Sequence, residues 1–478
     1  ASALHGVIRN NLALLSPSQE SVQNRNVKVR ARHLYNNNPV ARRYVTLVQD
    51  NVVGKDGFRL QSLVSNAKGL TNTRLTRQIE NAWEDFCKAG NFEASGLLSH
   101  RDVMNQILTG VLVDGEILVR LVLGRGKYGL QVQLIDSDHL YSPGNAFSFL
   151  PNGNRIVQGV EVDEFNKPIR YHLYDGHPQE GKTKVVEIPA EEILHLYIPH
   201  RAGYVRGVSA FAPVIESLEM LEGYRKAELV AARMGASKGI IYETESEDAF
   251  DDQETFTPRP IEPGSVEVLP PNMKMKIFDP THPNGNFAPF TDAILKEIAA
   301  GLGVSAISLF GSYDQTSYSS MRGAFSNERS QFRMLQSFII ERFLDLVFVR
   351  WMEVNCMTSR LGLKPVGGSY EVYAQHEFKP KGFDYFNPQQ EMAALVAGYE
   401  SNLFSLTEIL AMRGQSLEDY LLLKKQEADL FVQYGVDCSP VMDKEPILQE
   451  SDEKKETEQE SDQEDSNEDK PTVKDIAA

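Results

Sequence analysis

The chain has 478 residues, 41% of them apolar, and a formal net charge of −17. That length allows two or three ordinary domains or one elongated subunit of several parts, and the apolar share excludes a wholly disordered protein. The acid excess disfavours tight, static binding of duplex DNA, which needs surplus Lys and Arg on the phosphates.

The charge is unevenly spread. Residues 443–478 hold fourteen acidic and five basic side chains, a net of −9, which leaves −8 for the 442 residues before them. That tail has almost nothing apolar to bury and is expected to be disordered. No run of about eighteen apolar residues occurs, so no membrane-spanning helix is expected. The first six residues do not read as a signal peptide. Cys87, Cys356 and Cys438 lie far apart without a CxxC pair. Their spacing argues against a disulfide framework or structural zinc and fits a reducing cytoplasm.

Along the chain, an arm over residues 1–24 precedes a helical stretch, 27–53, interrupted by Pro39. Gly54 and Gly57 break it ahead of a strand at 58–63. Residues 72–87 and 100–112 have the apolar spacing of amphipathic helices, with Leu75, Ile79, Trp83 and Phe86 on one face of the first. The period then falls to two. Residues 117–123 and 130–135 flank a Gly-rich turn and predict a hairpin, with further strands at 155–162, 168–174, 184–188 and 194–197. This region reads as a mixed α+β domain with antiparallel pairing.

Residues 210–237 predict a helix capped by Ser209, with Pro213 in its first turn, where a missing N–H costs nothing. A proline-rich stretch, 239–284, follows, with short strands at 239–242, 265–269 and 275–278. A second helix, 287–302, ends at Gly301 and Gly303. Two helices flanking a strand-rich insertion suggest a stalk with a module mounted on its end. Residues 305–317 read as a polar loop and 318–356 as a long helix, roughly 58 Å if unbroken, at about 1.5 Å per residue. Residues 388–433 are helical in pattern, with breaks at Gly398 and Gly414.

Two phosphate-loop patterns occur, and both fail on context. Gly176 to Thr183 satisfies GxxxxGK[ST], a chemistry that needs Lys182 and Thr183 at a helix N-terminus. The next residues, Lys184 to Pro189, predict a strand ended by proline, so the match reads as a hairpin tip. Gly124, Gly126 and Gly129 fit GxGxxG but precede an alternating strand, not a helix. His195 and His200 flank a strand end, and His172 sits mid-strand with no carboxylate at ligand spacing, so none reads as a metal ligand. No Ser stands in a GxSxG context. No catalytic residue, cofactor or metal is expected.

Several segments, taken in order, resemble the lambda-type family of phage portal proteins. The first runs from Arg30-Ala31-Arg32 through Asn37-Asn38-Pro39 to Arg42-Arg43, followed by Asp50 to Gly54 and Arg59 to Ser62. His195-Leu196-Tyr197 and Arg206-Gly207-Val208 precede a helix carrying Ala227 to Ala232. Ile298 to Val304, Tyr318 to Arg322, Asn387-Pro388 and Arg413-Gly414 continue the pattern. The acidic tail and Asn387, where the family commonly has Asp, depart from it.

The resemblance implies a multi-region α+β portal fold in a ring, typically dodecameric. Its wing would take residues 25–209 and, with a long helix and return segment, 319–384. The stem helices would be 210–237 and 285–303, the clip 238–284, the tunnel loop 304–318, and the crown 385–440, ahead of the tail at 441–478. The implied partners are sister subunits, double-stranded DNA passing through non-specifically, the terminase large subunit, a head–tail adaptor, and major capsid and scaffold proteins, with no membrane. The implied location is the portal vertex of the virion, after assembly in the host cytoplasm.

Within that frame, Ser312, Tyr313, Asp314, Gln315, Thr316 and Ser317 are candidates for the narrowest part of the channel. Glu219, Glu222, Arg225, Lys226 and Arg233 give the stem both signs of charge. Glu243, Glu245, Glu247, Asp248, Asp251 and Asp252 give the clip an acidic face for a basic motor or adaptor. The competing readings are a P-loop NTPase resting on Gly181-Lys182-Thr183 and a monomeric scaffold or adaptor of the virion.

Overall fold

The computed structural model describes residues 17–65, 72–141, 147–181, 183–236, 239–244, 273–278, 287–311, 317–367, 369–384 and 386–434. The chain divides into two compact units, 1–416 and 417–478. In chain order the first unit opens with α1 (Pro17–Asn37), α2 (Pro39–Val52), β1 (Arg59–Ser62), α3 (Thr73–Phe86) and α4 (His100–Thr109). The strands β2 (Glu116–Leu123), β3 (Leu130–Ile135), β4 (Phe147–Phe149), β5 (Arg155–Val157), β6 (Val160–Val162), β7 (Pro168–Tyr174), β8 (Val185–Pro189) and β9 (Ile193–Tyr197) follow. Next come α5 (Ile215–Ala236), β10 (Gly239–Thr244), β11 (Met273–Phe278), α6 (Phe287–Leu302) and α7 (Ala306–Phe310). The unit closes with α8 (Tyr318–Ile339), α9 (Asp345–Met357), β12 (His376–Lys379), α10 (Pro388–Glu400) and α11 (Leu406–Met412). The second unit contributes α12 (Leu417–Tyr434), whose residues are all at least partly exposed.

The helix starts follow local chemistry. Asn38 caps α2, accepting from the Val40 and Ala41 amides, with Pro39 at the first helical position. Ser99 and Asp102 form a reciprocal capping box on α4. All strand pairing between named strands is antiparallel, in sheets ordered β3-β2-β9, β4-β5-β6-β7-β8, β1-β12 and β10-β11. The main core lies where α3 meets the long helix. Trp83 packs edge-on against Phe348 and Trp351, both at 5.3 Å, and Phe86 lies 5.7 Å from Trp351.

Several expectations are corrected. Helix α1 begins at Pro17, inside the expected arm. The strand expected over 155–162 is two strands, because Gln158 (φ 46°) and Gly159 (φ 89°) make a left-handed turn between them. Ser209 does not cap α5, which starts at Ile215; its Oγ donates to the Leu112 carbonyl and accepts from the Phe211 amide in a turn that also holds Pro213. By contrast, the helix expected over 287–302 has those bounds as α6, and at its Gly301 a Cβ would stand 2.4 Å from Val214 Cγ1.

The predicted loop 305–317 contains a helix, α7, capped by Ser305 and closed by Gly311 in the left-handed region. The long helix is continuous from α8 into α9 through a π-helical turn, Ile340–Leu344. Gly398 does not break α10; it gives Phe404 room, since a Cβ would meet that ring at 2.4 Å. The strand expected at 265–269 lies outside the described residues.

Candidate functional site

Helices α5 and α6 lie side by side. Tyr224 stacks on Phe287 at 5.5 Å and meets Phe290 edge-on at 5.2 Å, while Ser217 Oγ donates to Glu297 at 3.3 Å. Beyond them the chain leaves and returns through the β10–β11 ribbon, in which Glu243 stands opposite Lys274. The pair is most buried at its root. Leu218 and Leu221 are enclosed while Met220 between them is 60% exposed, and farther from the root Leu229, Val230 and Phe290 are 53%, 53% and 52% exposed.

Of the stem residues, Glu219 pairs with Arg30 of α1, and Glu222 pairs with Lys226 one turn along α5. Arg225 and Arg233 are exposed on the same helix. Ser317 caps α8, its Oγ accepting from the Ser320 amide at 3.2 Å. Ser312, Tyr313, Asp314, Gln315 and Thr316 lie outside the described residues, as do Glu245, Glu247, Asp248, Asp251 and Asp252.

A buried polar joint that sequence reading missed holds the segment leading into α5. Glu116, at the start of β2, is 2% exposed and accepts from Arg206 Nε at 2.8 Å, from the Gly207 amide at 3.0 Å and from His195 Nε2 at 3.1 Å. Burial opposes its charge, but the Arg206 guanidinium and the His195 bond outweigh burial and hold its carboxyl well below the ordinary carboxylate value. Burial likewise lowers His195, whose neutral ring carries the proton that Glu116 accepts. Arg206 Nη1 also donates to the Gln158 carbonyl at 2.8 Å, tying in the β5–β6 turn.

Helix α1 joins from the other side. Lys28 Nζ donates to Ser137 Oγ at 2.7 Å and pairs with Asp138 at 3.1 Å, and Arg32 grips Asp114 bidentately at 2.6 and 2.8 Å. Two glycines let the backbones meet. A Cβ on Gly207 would stand 2.0 Å from the Gly115 carbonyl oxygen, and one on Gly115 (φ 90°) would stand 2.4 Å from Val208. Arg206, Gly207 and His195 carried the family resemblance without a stated role; the fold brings them together on Glu116.

The refused motifs resolve geometrically. Residues 176–183 join β7 to β8, which pair antiparallel from Tyr174↔Val185 onward, so no helix follows the glycines; Lys182 lies outside the described residues. Gly124, Gly126 and Gly129, all at positive φ, turn β2 into β3. His172 has carboxylates beside it that do not stand at ligand spacing in the sequence. Neighbouring strands place Glu161 3.5 Å from its Nε2 and Glu187 3.9 Å from its Nδ1.

Comparison with known proteins gives the class. The sequence model of the lambda family of phage portal proteins matches residues 11–336. A probable portal protein of Halomonas phage phiHAP-1 is 30% identical over 424 residues, 86% of this chain and 81% of that protein. Portal protein B of Escherichia phage lambda is 25% identical over 365 residues, 68% of this chain and 67% of that one. Among solved structures, a chain from the neck of a native gene transfer agent particle aligns over 79% of this chain and 91% of its own, at 14% identity and a TM-score of 0.45. The chain belongs to the lambda family of phage portal proteins.

Proposed function

We propose that the chain is one subunit of a closed ring, a dodecamer, that forms the DNA channel at the portal vertex for packaging and ejection. The carrying observation is the paired α5–α6 stalk, rooted in the core through Leu218 and Leu221 and exposing Leu229, Val230 and Phe290 beyond them and Met220 between them. Apolar side chains at that density need a partner. Identical neighbours in a ring supply one to every subunit. In this reading residues 210–237 and 285–303 are the stem, 238–284 the clip, 304–318 the tunnel loop, 25–209 with 319–384 the wing, and 385–440 the crown.

A channel of this kind must let a duplex slide. Phosphates recur every ~1.7 Å along the duplex, so cationic walls would create a deep well at each step. An acidic or mixed wall keeps the potential shallow, and the body of this chain is net negative. Residues 312–317 line the narrowest point. The clip acids steer the terminase large subunit during packaging and the head–tail adaptor afterwards, while capsid and scaffold proteins surround the ring.

The test is Asp314→Arg, expected to impair packaging or ejection. Packaging of full-length genomes at the wild-type rate refutes the lumen position. ATP turnover by the purified protein, abolished by Lys182→Ala, would instead favour an NTPase.

A further inference from the structure

Glu328 and Arg329 are consecutive on α8, and each holds a different neighbour across one cleft of about 220 Å3. Glu328 is 4% exposed. Its Oε1 accepts from the Ser305 amide at 3.2 Å and its Oε2 from Ser308 Oγ at 2.6 Å, so both oxygens fix the capped first turn of α7. Among the described residues no cation forms an ion pair with it, and burial pushes its carboxyl above the ordinary value. A carboxylate that deep is costly unless its bonds are kept.

Arg329 faces the other way. Its Nη2 donates to the Asp384 carbonyl at 2.6 Å, and its guanidinium lies 5.5 Å from the Phe383 ring centroid and 4.8 Å from that of Phe386. Phe325 backs Phe386 at 5.1 Å, and Phe332 stacks on Phe383. The segment gripped in this way leads directly into α10, whose cap is Asn387 and whose Glu391 accepts from the Phe386 amide at 3.0 Å.

We propose that Glu328 and Arg329 act together as positioning residues, by which one stretch of the long helix sets both α7 and the lead-in to α10. A roll of α8 about its axis carries both side chains together. A displacement at α7 is thereby passed to the segment that leads into α10, and the reverse. The use of this grip in the channel rests on the ring reading above; the coupling itself does not.

Hydrogen exchange on the assembled protein tests the coupling. Glu328→Ala should speed exchange in residues 305–311 by about tenfold or more, the size of one lost bond to a charged acceptor, and should also speed 383–391. Arg329→Ala should do the reverse, loosening 383–391 most and 305–311 measurably. Glu328→Gln, which keeps an acceptor oxygen, should restore most of the protection.

Changes confined to each variant's own side, or absent, overturn the coupling. If Glu328→Ala yields no soluble protein, Ser308→Ala and Arg329→Lys carry the same comparison. Coupled exchange with wild-type packaging in both alanine variants overturns the role in the channel, and leaves the ring reading to be judged by particle mass.

Discussion

Removing the Glu116 carboxylate is the sharpest perturbation of the segment leading into α5. In Glu116→Ala, Arg206 remains 8% exposed with the Gln158 backbone carbonyl as its main acceptor, and the Gly207 amide and His195 lose theirs. Breaking one partner of a buried pair costs about 3–5 kcal/mol, because the other charge stays buried and uncompensated. At about 1 °C per kcal/mol for a unit of some 416 residues, Tm should fall by roughly 3–6 °C at matched subunit concentration. The half-exposed pair Arg170–Glu187 is the internal control, and Glu187→Ala should cost under about 0.5 kcal/mol. Replacing both partners, Glu116→Leu with Arg206→Met, should recover more than half of the loss, since no charge is then stranded. Calorimetry or a denaturant midpoint reads all three. A Glu116→Ala loss no larger than that of Glu187→Ala would refute the joint.

Further outcomes follow from neighbouring features. His100 sits among Trp83 and Phe92, and burial lowers its pKa to about 4. The unfolded chain protonates near 6.5, so this contribution is full above that pH and is lost as pH falls toward 4, by about 3 kcal/mol in all. His100→Phe should flatten the stability profile across that window, measured as denaturant midpoints at pH 7 and 4.5. Glu116 adds loss at lower pH, because its depressed carboxyl stabilises the fold above the ordinary carboxylate range and stops doing so as pH drops through its folded value. Gly207→Ala should destabilise by several kcal/mol or abolish soluble protein, because the clash is with backbone. Gly223→Ala, with open space around its Cβ position, should fold normally in the same expression trial.

Much of this architecture was legible where local chemistry and periodicity agree. Asn72 caps α3, whose apolar face carries Ile79, Trp83 and Phe86, and the alternation of β2 and β3 fixed their hairpin. Boundaries failed where a distant contact decided them. Ser209 read as a cap, but its hydroxyl is committed to Leu112, 97 positions earlier. The polar joint was not legible at all. Glu116 and Arg206 are 90 positions apart, and only the β2–β9 register and the Gly115–Gly207 contact bring them together. The same holds for His172, whose carboxylates come from strands on either side.

The central claim is an assembly of identical subunits around a channel. Electron microscopy of the purified full-length protein, with particle mass measured in parallel, tests it most directly. Closed rings of uniform mass with a central opening are predicted at micromolar subunit concentration. A population of single subunits, or of open aggregates without a closed ring, would contradict the account.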